Sequence, residues 1–486
     1  MNESRILGAF RAAAARRPDA TALVSPRETV SYAALECRAA AVAAKLAGTV
    51  GSVVGLLYPN SPDFVAGFLG ALWAGKTAAV FPSIAPPKLI LLLATQSGIR
   101  NILVAEELAP GIAAVGLQPI VVRPSDAPGR DSTQPSMAPL KRDAAVLLYT
   151  SGTTGVPKAV ALSEANVLAN IEGCCQAGPF TADDVMLAIL PLFHAFGLTV
   201  TLLLPLTLGG KVVLEDRFVP RTSLEAVSTH RVTALIGVPG QFRLLAKEPA
   251  GVDAESLRLC ISGAERLGEH VREAFAQRFD KQLLQGYGAT ESSPVISFNR
   301  PSQNRPGSVG LPLHNVRLSI RDGSQALPRG EHGEVCVEGS SVMLGYFGNP
   351  KATEAKVPGR VLHMGDHGWI DPDGFLYLTG RADDMVKVGG EKVYPAEIER
   401  VLEQIEGVEE AAVVGITSEA RGTTLAGFVA PHPGATLDAA AVRNACRDRL
   451  EIFKTPKTFT VVPQLPRSAS GKVDKRALLE IATRPR

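Results

Sequence analysis

One repeated alternation restricts the architecture open to this chain more than any other feature. In VVGLLYPNSPDFVAGFLGALWAGKTAAVFP (53–82), an apolar run of strand length gives way to a helical pattern, and that to a second apolar run. The helix is predicted to start at Ser61, whose hydroxyl can cap free N–H groups, and to stop at a glycine. A helix with an Ala-rich packing face, VSYAALECRAAAVAAKLAG (30–48), precedes it. Further buried-strand runs recur at NILVAEE, AVLLYT, KVVLED, VTALIGVP and LRLCISG. This βαβα rhythm predicts parallel sheets with helices on their faces.

Past about residue 305 short strands and Gly-rich turns take over, as in GEVCVEGSSVMLGYFG and GWIDPDGFLYLTGR, where Asp373-Gly374 signals a hairpin. After GRADDMVKVGG a smaller unit begins. It is predicted to hold a helix at PAEIERVLEQI, strands at EEAAVVGI and TLAGFVA, a helix near 437–450 and a strand at FTVVP. The expected fold is therefore α/β: a large N-terminal domain of parallel-rich sheets flanked by helices with a small β-rich subdomain (1–381), then a small α+β C-terminal domain (382–486).

Composition excludes several function classes. A net charge of +2 gives no basic face for nucleic acid. The cysteines at 37, 174, 175, 260, 336 and 446 lack metal-ligand spacing and read as reduced thiols of a cytoplasmic protein. The N-terminus has no apolar signal core. Residues 185–208, VMLAILPLFHAFGLTVTLLLPLTL, carry no fully charged side chain over a membrane-spanning length. Pro191, Pro205 and His194 interrupt them, so a buried strand, a loop and a core helix are expected, and no transmembrane segment.

The first chemical signal is LLYTSGTTGVPKAV (147–160). Hydroxyls of Thr150, Ser151, Thr153 and Thr154, the open backbone of Gly152 and Gly155, and the Lys158 ammonium suit phosphate oxygens, although the spacing is not that of a P-loop. Further along stand PLFHAFG (191–197), GYGATES (286–292), HMGDHGWIDPDG (363–374), GRADDMVKVGGEKVYPAEIE (380–399) and PRSASGKVDK (466–475).

Together, in this order and over nearly the whole chain, these motifs resemble the acyl-adenylate-forming superfamily of AMP-dependent synthetases and ligases, closest to fatty acyl-CoA and acyl-acyl-carrier-protein synthetases. The resemblance implies ATP as the nucleotide and Mg2+ as the metal. It places the β- and γ-phosphates on Thr150–Gly155 and Lys158. Tyr287, with Gly286 and Gly288 beside it, would stack on the purine, and Ser262, Gly263, Ala264 and Glu265 would border it. Thr290 would contact the α-phosphate and Glu291 the metal; Asp366 would accept both ribose hydroxyls, and Arg381 would be a second ribose or phosphate contact. Lys472 matches the catalytic lysine, whose ammonium offsets the repulsion between an attacking carboxylate and the α-phosphate. Asp383 matches the hinge of a mobile C-terminal domain, and the loop at Gly389-Gly390 the surface used for thioester formation.

His194 has two readings, a satisfied core histidine or the gate of the acid pocket. Thr199, Gly237 and Gly240 would line that pocket with Ala195 and Phe196. Amino-acid-activating members place an aspartate where Ala195 stands, and an unpaired ammonium in an apolar pocket costs several kcal/mol. A fatty or other non-amino carboxylic acid is therefore expected. The thiol acceptor, CoA or the phosphopantetheine of an acyl or peptidyl carrier protein, stays open. So do an acyl-AMP ligase, an aryl- or amino-acid-adenylating enzyme loading a carrier, and a catalytically silent scaffold or ligand sensor.

Overall fold

Where an apolar run is too short for a helix and lacks polar alternation, both faces of a strand must be covered. Val53–Leu57, Thr77–Val80 and Asn101–Val104 are buried at every position. The structure, a computed structural model, describes residues 4–127, 143–150, 157–249, 251–388, 391–418, 422–432, 434–467 and 473–483. It divides into two compact units: Met1–Leu267 with Ala274–Leu318 and Val337–His363, and Gly268–Glu273 with Ser319–Cys336 and Met364–Arg486.

The first unit holds two large sheets. In the seven-stranded sheet the spatial order is Gly345–Tyr346, Lys158–Ser163, Ala144–Thr150, Thr77–Val80, Val53–Leu57, Asn101–Val104, Gln118–Ile120. Its last five strands run parallel and the first two add antiparallel. The helix Pro62–Trp73 starts at Ser61, whose Oγ accepts the Phe64 N–H at 3.2 Å, and its chain turns at Gly75. It packs on Tyr32–Ala47 so closely that a Cβ on Gly70 would lie 2.5 Å from Val42 Cβ, which is the use made of the Ala-rich face.

The nine-stranded sheet is parallel at its centre. Leu283–Gly288, Leu259–Ser262, Ala234–Gly237, Val185–Ala188, Lys211–Leu214 and Thr21–Val24 lie side by side in that order. Chain order and spatial order part here: Val185–Ala188 lies between Lys211–Leu214 and Ala234–Gly237. After it, Phe196–Leu203 forms a π-helical run that enters the α-helical turn Leu204–Leu208. The expected core helix is thus widened. The Leu204 N–H reaches the Thr199 carbonyl, the Thr201 hydroxyl donates to the Gly197 carbonyl at 2.7 Å, and Pro205 offers no N–H. Among the described residues no helix is long and apolar enough to cross a membrane. All six cysteines are unbridged, including the adjacent Cys174 and Cys175.

In the second unit, Val408–Ser418 and Gly422–Pro431 pair antiparallel and Thr458–Val461 joins parallel. Strand alternation sorts its side chains onto two faces. Ala411 and Val413 meet Ile398 and Leu402 of Pro395–Leu402 and Val442 and Cys446 of Ala439–Arg447, whereas Ala412 and Val414 join Leu478 of Lys475–Thr483. Leu362–Ile370 and Leu376–Arg381, most of whose residues belong to this unit, form the hairpin signalled by Asp373-Gly374.

Candidate active site

Four neighbouring parallel strands end in candidate residues. Val185–Ala188 leads to His194, Ala234–Gly237 ends on Gly237, Leu259–Ser262 ends on Ser262, and Leu283–Gly288 carries Gly286, Tyr287 and Gly288 before Thr290 and Glu291. Residues scattered over a hundred positions thus meet along the carboxyl edge of one sheet, where open α/β folds bind their ligands.

Two of these loops touch. A Cβ on Gly263 would stand 2.8 Å from Cε1 of Phe196, so the absence of a side chain there admits the ring. Ala264 follows, exposed, with φ 67°. Gly288 is crowded more severely: its Cβ would lie 2.0 Å from the Pro294 carbonyl oxygen. Tyr287 is half-buried and pairs with Ser297 of Val295–Phe298. His194 is exposed, its ring 4.5 Å from that of Phe193, which leaves the core-histidine reading without support. Ala195 is buried, Gly240 half-buried. The Ser262 and Thr199 hydroxyls are both buried and lack a hydrogen-bond partner, a cost a bound ligand can remove.

Two buried amides that the sequence reading passed over hold these loops. Asn60 donates to the Leu190 carbonyl and accepts from the Leu192 N–H, both at 2.9 Å, fixing the segment before His194. Asn170 donates to the Val295 carbonyl at 2.7 Å and the Ser292 carbonyl at 3.2 Å, and accepts the Val295 N–H, fixing the segment after Glu291. An asparagine in a helical or apolar stretch is the only trace either leaves in the sequence.

On the phosphate side, Thr150 and Lys158 pair across the antiparallel strands that lead into and out of the Ser/Thr/Gly loop. Ser151, Gly152, Thr153, Thr154 and Gly155 lie outside the described residues. The Lys158 ammonium stands 5.0 Å from the ring centroid of Tyr346. The Tyr346 hydroxyl donates to Oε1 of Glu291 at 2.8 Å. Burial and the Glu291 charge push the phenol well above its ordinary value, so it stays a donor. Tyr346 was read only as part of a Gly-rich strand segment. The Gly-Tyr dipeptide gave no hint of this contact.

In the second unit Asp366 and Arg381 face each other as register partners of the hairpin, with Nη1 and Oδ1 3.6 Å apart. Asp383 lies in the turn that follows, where the Asp384 N–H bonds the Arg381 carbonyl. Lys475 reaches Asp384 at 3.1 Å and Glu399 at 3.5 Å. Burial opposes its charge, yet the Glu399 and Asp384 carboxylates hold the ammonium above its ordinary value. Lys472, Gly389 and Gly390 lie outside the described residues; Arg467 and Val473, which flank the Lys472 segment, form an antiparallel bridge.

The model of the AMP-binding enzyme family matches residues 10–347, and that of the AMP-binding enzyme C-terminal domain matches residues 397–472. A sulfoacetate–CoA ligase of Cupriavidus necator is 34% identical over 490 residues, covering 96% of each chain. A long-chain-fatty-acid–CoA ligase of Bacillus subtilis is 36% identical over 360 residues, 72% of this chain and 64% of the relative, so the match spans less than two thirds of that protein. The crystal structure of ATP-bound MatB from Rhodopseudomonas palustris superposes with a TM-score of 0.90 at 29% identity, over 99% of both chains. The chain belongs to the AMP-binding enzyme family, with the α/β fold of its solved members.

Proposed function

We propose that this member of the AMP-binding enzyme family activates a carboxylic acid with ATP and then passes the acyl group to a thiol. A carboxylate oxygen attacks the α-phosphorus, the bond to the bridging oxygen of the β-phosphate breaks, and pyrophosphate leaves. The thiol sulfur then attacks the acyl carbon and AMP departs. The observation that carries this reading is the meeting of the Phe196, Ser262 and Tyr287–Glu291 segments along the carboxyl edge of one sheet. Nucleotide and acid would lie side by side there, as an in-line displacement demands.

Lys158, with the loop before it, would hold the phosphates that leave. Lys472 would offset the repulsion between carboxylate and α-phosphate. Asp366 would accept the ribose hydroxyls beside Arg381, and Asp383 would be the hinge between the half-reactions. The donor set fits Mg2+: Oε1 of Glu291 accepts the Tyr346 hydroxyl, while Oε2 has no partner among the described residues, and hard cations take such oxygens. Bound there, the ion would neutralise phosphate charge.

Ala195 puts a buried methyl where an α-amino substrate needs a carboxylate, so the acid is taken to be a fatty or other non-amino acid. CoA is the favoured thiol, because the curated relatives above are named as CoA ligases. ATP–pyrophosphate exchange over a panel of fatty, aryl, short-chain and amino acids tests the first half. The best acid is then offered CoA or a phosphopantetheinylated carrier protein. Exchange with no acid overturns the reading. Exchange without transfer to either thiol leaves an adenylate-only ligase.

A further inference from the structure

Tyr346 stands between two groups that the reading above assigns to the same polyphosphate. Its hydroxyl donates to Glu291, which follows a strand of the nine-stranded sheet; its ring lies under the ammonium of Lys158, on a strand of the seven-stranded sheet. We propose that Tyr346 is a positioning residue that sets the metal-binding carboxylate and the phosphate-binding ammonium at a fixed spacing, through two separable contacts. The inference rests on the acyl-adenylate reading.

The tyrosine is itself held on every side. Its N–H donates to Thr353 Oγ1 at 2.9 Å, and it pairs with Val160 across the sheet. The Leu344 and Phe347 N–H groups bond the Ala161 and Ala159 carbonyls, at 3.0 and 2.8 Å. The same segment grips the backbone of Glu291, since the Met343 N–H donates to the Glu291 carbonyl at 2.8 Å. Side chain and main chain of Glu291 are therefore tied to one short segment, Met343–Tyr346. One carboxylate oxygen is occupied by a fixed neutral donor, which orients the other towards a cation without neutralising it. The ring face opposite the ammonium limits where Lys158 can go without drawing it into an ion pair with Glu291.

The two contacts predict different failures. Tyr346→Phe keeps the ring and removes the hydroxyl; Tyr346→Leu removes both. Calorimetric titration with ATP, at stepped magnesium concentrations and in excess chelator, separates them without turnover. In Tyr346→Phe the magnesium concentration giving half-maximal enhancement of ATP affinity should rise about tenfold, the worth of one hydrogen bond to a charge, with chelated ATP binding unchanged. Tyr346→Leu should show the same shift and lose about threefold more in chelated ATP affinity. Adding Tyr346→Phe to Glu291→Gln should shift the magnesium midpoint no further. An unchanged midpoint in a folded Tyr346→Phe protein, or additive effects with Glu291→Gln, would overturn the inference. An unaltered chain that binds no ATP would instead overturn the underlying reading.

Discussion

The ring of Phe196 occupies the space that a side chain on Gly263 would need: a Cβ there would stand 2.8 Å from Cε1. The first residue follows a strand that ends at Ala188, the second a strand that ends at Ser262, and one strand lies between them. Gly263→Ala must push the ring aside. Because the far end of a flexible side chain can yield, the fold should survive, and the acid pocket should change shape. We expect KM for the acid to rise about tenfold, a cost within the usual range for overpacking, while KM for ATP changes less. Exchange kinetics with each substrate varied in turn would show this; equal rises in both would refute a role in shaping the acid pocket.

Lys472→Ala should abolish adenylation while sparing thioester formation from supplied acyl-adenylate. Removing a charge used only in the first transition state can cost about 100- to 1000-fold in that step alone. Single-turnover assays of the two halves settle it, and parallel loss of both would end the proposed division of labour.

Asp366, with Arg381 3.6 Å away, is proposed to accept both ribose hydroxyls. ATP should then be preferred over 2′-deoxy-ATP, and Asp366→Ala should erase that preference while lowering kcat/KM for ATP by about 100-fold, as expected for two charge-assisted hydrogen bonds. A preference that persists in the variant would place the ribose elsewhere.

Glu215 gives the fold a pH-dependent stability. Burial raises its carboxyl to about 7 from an ordinary 4.5, against the lowering effect of the Ser223 hydroxyl, which donates at 2.6 Å. Between these values the folded chain holds a proton that the unfolded chain has released, so stability falls as pH rises and the loss is complete above about pH 7. A shift of this size corresponds to about 3 kcal/mol. Glu215→Gln should match the unaltered protein near pH 4 and exceed its unfolding free energy by about 2–3 kcal/mol at pH 8. Urea unfolding at the two pH values gives the comparison. A difference that does not change with pH would show that Glu215 ionises freely.

Much of the fold was legible because its signals are local. Ser61 caps its helix through its own next turn. Asp373-Gly374 makes its hairpin between adjacent strands. The buried runs at 53–57, 77–80 and 101–104 need no distant partner to read as strands. The candidate loops were legible for the same reason, since glycines and hydroxyls cluster within a few residues. The π-helical run at Phe196–Leu203 was not, because the choice of ladder depended on Thr201, Pro205 and packing together. Asn60 and Asn170 were missed because each acts on a segment more than a hundred residues away.

By itself the sequence determined the alternation that makes parallel sheets, the places where strands end in candidate ligand-binding loops, and the family. Tertiary structure decided which loops meet. Val185–Ala188 became the neighbour of Ala234–Gly237, which put Phe196 against Gly263. Tyr346 came to join Glu291 to Lys158 across two sheets. Such contacts depend on the order in which strands assemble to bury their faces, a property of the whole sheet that no short stretch of residues encodes.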